Sequence, residues 1–90
     1  MDVYERAAEK IIKEQEGIIG PLALEQARRV KGLEIDDHIV KFTGDKVRAL
    51  ESLVEQYRQL FGQTSVEVCR EAARGFMSKL PPQEIPSLLR

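Results

Sequence analysis

The sequence predicts a mainly α-helical domain: two helical hairpins forming a four-helix core, with a short β segment or hairpin at about residues 33–42. Three observations carry this. Apolar residues recur at three- and four-residue spacing through most of the chain, the signature of helices with one buried face. Glycines at Gly20 and Gly62 interrupt that periodicity, and it resumes at once after each. The segment before Gly20 and the segment before Gly62 also resemble one another at an offset of 42 residues.

The first helix is expected over residues 2 to 17. Val3, Ala7 and Ile11 form one row and Tyr4, Ala8 and Ile12 its neighbour, with Glu5, Lys10 and Glu14 between them. Asp2 suits the N-cap, where its carboxylate accepts an otherwise unpaired N–H. Gly17 and Gly20 flank Ile18-Ile19 and are expected to stop the helix together. Pro21 then suits the first turn of a second helix, because the N–H it lacks would be unpaired there anyway. Leu22, Leu24, Ala27 and Val30 mark the apolar face of that helix, which ends in cationic residues at Lys31-Gly32.

LEIDDHIVKF, residues 33–42, breaks the helical pattern. A turn at Asp36-Asp37 would set Leu33 opposite Val40 and Ile35 opposite His38 on one face of a hairpin. A single extended stretch with a bulge is the simpler alternative. The third helix opens after TGDKV, capped by Asp45 or Thr43. Its apolar stripe is Val47, Leu50, Leu53, Val54, Tyr57, Leu60 and Phe61, and Gly62 ends it. Thr64 and Glu67 match a capping box for a fourth helix. Val66, Cys69, Ala73 and Met77 form its stripe beside Val68, Ala72, Phe76 and Leu80, and Pro81-Pro82 end it. The expected organisation is one domain over 1–80, with hairpins at 2–31 and 45–80 and a bridge at 32–44. A Pro-containing tail follows at 81–90, as a packed turn or a loose arm.

The repeat sharpens this picture. Residues 6–29 align with 48–71, with identities at Arg6/Arg48, Ala7/Ala49, Glu9/Glu51, Gly20/Gly62, Glu25/Glu67 and Arg28/Arg70. Apolar character matches at Ile11/Leu53, Ile12/Val54, Ile18/Leu60, Ile19/Phe61, Leu24/Val66 and Ala27/Cys69. Each hairpin has one apolar face and buries it only by stacking on the other. The stretch IIGPLALEQARR, residues 18–29, resembles the "IGP-x-A" helical modules attached to some bacterial serine/threonine kinase, forkhead-associated and roadblock-type regulatory proteins. That resemblance implies an interaction or regulatory module with no catalytic residues.

Composition narrows the function. Ninety residues fit one domain, since domains run from about 50 to 250 residues. The chain is 42% apolar and 32% charged, as soluble folded domains are. Its 14 basic and 15 acidic side chains give a net charge of −1, without the basic excess of a dedicated nucleic-acid binder. Cys69 stands alone, so no internal disulfide forms, and the charged N-terminus MDVYERAAEK lacks the apolar core of a signal peptide. No apolar run approaches the roughly 18 residues that span a bilayer. A cytoplasmic protein without membrane contact is expected.

Candidate chemistry is sparse. Asp36, Asp37 and His38, near Glu34, resemble a metal-ligand cluster, although adjacent strand residues point to opposite faces and an acidic turn explains the aspartates. Cys69 lies on an apolar stripe, as a core residue would. Gly17 and Gly20 follow a helix, so with Pro21 they read as a corner and not as a phosphate loop. Arg28, Arg29 and Lys31, with Arg70 and Arg74, suit either helix C-terminal charge complementarity on a solvated face or contact with phosphate or an acidic partner. Leu33, Ile35, Val40 and Phe42 need a cover, from the helices or from a second copy, and a homodimer is expected. The expected function is a non-enzymatic protein–protein interaction or regulatory module without cofactors. The rivals are a helix-turn-helix-like nucleic-acid binder over residues 8–31 and a small-ligand or metal-binding protein.

Overall fold

The structure is a computed structural model that describes residues 2–90. Helix α1 (Val3–Ile19) starts on a reciprocal capping box. The Asp2 carboxylate accepts the Glu5 N–H at 2.8 Å, and the Glu5 carboxylate accepts the Asp2 N–H at 3.4 Å. The helix runs through Gly17, against expectation, and stops only at Gly20. One glycine inside a helix costs only about 1 kcal/mol, and Ile19 beyond it packs on the core.

Helix α2 (Leu22–Ala27) has six residues and does not reach Lys31. The chain leaves it through turns, and Val30 enters the core outside any helix. The buried face of α2 is Ala23, Gln26 and Ala27, and Leu24 packs half-buried against the core, so of the expected stripe only Leu22, 39% exposed, turns outward. Across the core, Tyr57 Oη donates to the Ala23 carbonyl at 2.7 Å and ties α2 to α3.

Strands β1 (Leu33–Asp36) and β2 (Ile39–Phe42) form an antiparallel hairpin with Leu33 opposite Phe42 and Ile35 opposite Val40. The hairpin is as expected, but its loop is Asp37-His38, one residue later than the sequence suggested. Asp37 adopts φ 58°, a left-handed conformation that aspartate tolerates better than most residues. The later loop keeps all four apolar side chains on one face and also moves His38 off the ladder.

Helix α3 (Lys46–Phe61) is capped by Asp45, which accepts the Arg48 N–H at 3.0 Å. Helix α4 (Gln63–Met77) begins immediately after Gly62 and has no side-chain cap. The Thr64/Glu67 capping box therefore does not form: Thr64 already lies inside the helix, and Glu67 pairs with Arg70 at 2.8 Å. Residues 81–90 are packed, with single 3-10 turns at Pro82–Glu84 and Ser87–Leu89. Tyr4 Oη donates to the Glu84 carbonyl at 2.7 Å, Arg70 Nε to the Leu88 carbonyl at 3.0 Å, and the Leu88 N–H to Glu51 at 2.9 Å. Leu89 is buried, so this segment belongs to the domain.

The repeat at offset 42 is visible in the packing. The buried residues of α1 are Ala7, Ala8, Ile11, Ile12 and Gln15, and those of α3 are Ala49, Leu50, Leu53, Val54 and Tyr57, position for position. Gly20 (φ 70°, ψ −152°) and Gly62 (φ 83°, ψ −172°) make the same corner. Each N–H closes the preceding helix, on Glu16 O at 2.9 Å and Arg58 O at 2.8 Å. Each carbonyl opens the next, accepting Ala23 N–H at 3.0 Å and Ser65 N–H at 3.1 Å. The halves also exchange equivalent bonds. Tyr57 donates to the Ala23 carbonyl, while Gln15 Nε2 donates to the Ser65 carbonyl at 3.2 Å. Donors and acceptors are both related by 42 positions, as a local two-fold between the hairpins requires. Helix α1 packs most extensively on α4, beside the contacts of α3 with α4 and α2, and a single core fills the space between.

Candidate functional site

The hairpin is the part of the chain that the four helices do not enclose. Its inner face is covered: Leu33 and Val40 are buried, and Ile35 and Phe42 are half-buried against the core. These four residues were candidates for contact with a second copy, and the structure instead has the chain's own helices covering them. The premise that a partner must shield this face no longer holds.

The edges of the hairpin differ. Thr43 N–H donates to the Gly32 carbonyl at 3.0 Å, which makes Gly32/Thr43 a hydrogen-bonded pair. Antiparallel pairing alternates, so the backbone groups of Leu33, Ile35, Val40 and Phe42 point outward from the ladder. On the β2 side α1 meets this edge, and Glu9 Oε2 accepts the Val40 N–H at 3.0 Å. On the β1 side the outward N–H and C=O of Ile35 have no partner in the sheet. The outer face carries Glu34, Asp36, Lys41 and Ile39, the last 52% exposed, around a shallow depression of about 380 Å³.

The hairpin tip is fastened to α1 through the single histidine. His38 Nε2 lies 3.2 Å from Glu16 Oε2, and Nδ1 lies 3.0 Å from Asp37 Oδ1. These two carboxylate contacts raise the pKa of the imidazole above its ordinary value. Beside it lies an open groove of about 410 Å³ lined by Glu16, Gly20, Pro21, Leu24, Glu25, Arg28 and His38. The Gly20-Pro21 corner therefore borders a surface depression as well as turning the chain. Arg28 sits there among acidic side chains, and Arg29 is exposed in the turn after α2.

Asp36, Asp37 and His38 do not converge as ligands. Asp36 ends β1, Asp37 and His38 form the loop, and the histidine ring is taken up by Glu16 and Asp37. Among the described residues no group of three His, Cys, Asp or Glu side chains is placed to share an ion. Cys69 is fully buried. Burial pushes its thiol up to about 11, and the Gln15 amide at 3.4 Å from Sγ opposes this only in part. An inert core thiol results.

Sequence reasoning missed Glu9 and Glu16, the α1 residues that bind the hairpin. Their spacing on one helix face was legible, but an exposed glutamate carries no mark of its partner. No family model, curated protein or solved structure matches the chain. The likeness of residues 18–29 to kinase-associated and related regulatory modules thus rests on about a dozen residues alone. Among the described residues no helix is long and apolar enough to cross a membrane.

Proposed function

We propose that this chain is a small non-enzymatic protein–protein interaction or regulatory module, cytoplasmic, whose docking element is the outer edge of β1. The supporting observation is that edge: a strand whose outward backbone groups at Ile35 are unpaired, beside the exposed Ile39. An open edge takes up an added strand through main-chain hydrogen bonds. A second copy supplies such a strand, and antiparallel β1–β1 pairing about a two-fold axis gives a four-stranded sheet in a homodimer.

The catalytic repertoire speaks for the same reading. The one thiol is buried and protonated, and both ring nitrogens of the one histidine meet carboxylates. The nucleic-acid rival draws less support, because α2 is short and Arg28 shares its groove with Glu16 and Glu25. Light scattering at high micromolar concentration should give twice the chain mass. Ile35→Pro removes the outward N–H without touching a hydrogen-bonded pair of the hairpin, and should give a monomer that still folds. A monomeric parent chain at that concentration refutes the homodimer.

A further inference from the structure

A second surface lies on the other hairpin, where the C-terminal segment returns across α4. The groove between them measures about 260 Å³. Its floor is apolar, formed by Met77, Ile85 and Leu89. Its rim carries three guanidinium groups, those of Arg70, Arg74 and Arg90, and no aspartate or glutamate side chain lines it. Arg70 and Arg74 stand four residues apart and so share one face of α4.

The three arginines have different duties. Arg70 is committed to structure: Nε donates to the Leu88 carbonyl at 3.0 Å, and an Nη donates to Glu67 at 2.8 Å. Arg74 pairs with Glu71 at 3.0 Å, but both side chains are 70% exposed, and solvent-exposed pairs of this kind exchange readily. Arg90 gives only its Nε to the Ile85 carbonyl at 3.2 Å, leaving its outer N–H groups free to donate.

We propose that this groove docks an acidic segment of a partner protein, one carboxylate beside one apolar side chain. The carboxylate takes the guanidinium groups of Arg74 and Arg90, and the apolar neighbour lies on the Met77–Ile85–Leu89 floor. Charge complementarity selects a compact acid. Glu67 and Glu71 stand along one side of the arginines on α4, each three residues before the arginine it pairs with, so an extended polyanion such as duplex DNA or an anionic membrane meets repulsion along that side. A single side-chain carboxylate is compact enough to reach Arg74 and Arg90 from the groove side, away from the glutamates. This surface is separate from the β1 edge, so its test stands or falls independently of dimer formation.

The probe is a short fluorescein-labelled peptide of alternating glutamate and leucine, followed by fluorescence anisotropy against the full chain. Saturable binding is expected, weakened by added salt. Arg74→Glu and Arg90→Glu should each weaken it about tenfold, while thermal unfolding confirms that both variants fold. Arg74→Gln and Arg90→Gln serve if a reversal disturbs folding, and should weaken binding in the same direction. Replacing glutamate by glutamine in the peptide should abolish binding, and replacing leucine by serine should reduce it. The proposal is overturned if the parent chain does not bind the peptide, or if the variants bind it equally well. It is also overturned if inorganic phosphate or phosphatidylserine vesicles bind as tightly through the same arginines.

Discussion

Alanine at three glycines tests the corner geometry by the sign of its effect. An added Cβ would meet nothing within 4 Å at Gly17, Gly20 or Gly62, so steric space does not distinguish them. Backbone conformation does. Gly20 and Gly62 combine φ of 70° and 83° with ψ of −152° and −172°. That region is essentially restricted to glycine, and a side chain held there costs about 1–3 kcal/mol. Gly17 is helical and exposed, where alanine gains about 0.5–1 kcal/mol. One kcal/mol moves the Tm of a domain this size by roughly 4–8 °C. Gly20→Ala and Gly62→Ala should therefore each lower Tm by roughly 5–20 °C, whereas Gly17→Ala should raise it by a few degrees. Far-UV circular dichroism on heating reads all three. Equal shifts of the same sign at the three sites would refute the reasoning.

Three further perturbations reach other parts of the structure. Tyr57→Phe removes the hydrogen bond to the Ala23 carbonyl and should cost about 0.5–1.5 kcal/mol in denaturant unfolding; no loss would mean that α2 docks by packing alone. His38 has a folded pKa above 6.5, so its contribution to stability is fully present below pH 6.5 and fades as pH rises through the folded value. An NMR titration should show that raised value in the parent chain and a return towards 6.5 in Glu16→Gln, and a parent value at or below 6.5 refutes the clasp. Cys69, buried and pushed up to about 11, should react with a thiol reagent only after denaturation; rapid labelling of the folded chain would contradict its burial.

The helices were legible because their signals are local and redundant. Asp2, Asp45, Gly20 and Gly62 each mark a helix end by side-chain or backbone chemistry that needs no tertiary partner. The errors fall where tertiary contact overrides local preference. Leu22 is more apolar than Ala23, yet α2 docks on α1 and α3 with Ala23 inward and Leu22 39% exposed. Leu60 fitted the stripe of α3 but is 50% exposed, because α3 ends at the next residue and the chain turns away. The hairpin loop was misplaced by one residue because two adjacent aspartates both suit a turn. The observed register pairs Leu33 with Phe42 and Ile35 with Val40 and lets Glu9 and Glu16 on α1 bind Val40 N–H and His38. The arginine groove was half legible: Arg70 and Arg74 stood out at helical spacing, but the return of Ile85, Leu89 and Arg90 across them is long-range.

The symmetry of the core and the asymmetry of the surface bear on one another. Inside, Gln15 and Tyr57 occupy equivalent positions and satisfy equivalent carbonyls, though one is an amide and the other a phenol. Chemically different side chains thus perform the same role at offset 42. Outside, the halves part company after Gly20 and Gly62. In the first, α2 ends at Ala27 and the chain turns into the β hairpin; in the second, α4 continues to Met77 and the tail folds back over it. Arg28 and Arg70, equivalent by the repeat, consequently face different surroundings: Arg28 a groove with Glu16 and Glu25, Arg70 a groove with Arg74 and Arg90. The pseudo-symmetric core fixes where these surfaces stand, and the segments outside the repeat, hairpin and tail, make them different. Substitution at Arg74 should therefore alter association while leaving Tm nearly unchanged, and substitutions at Gly20 or Tyr57 should do the reverse.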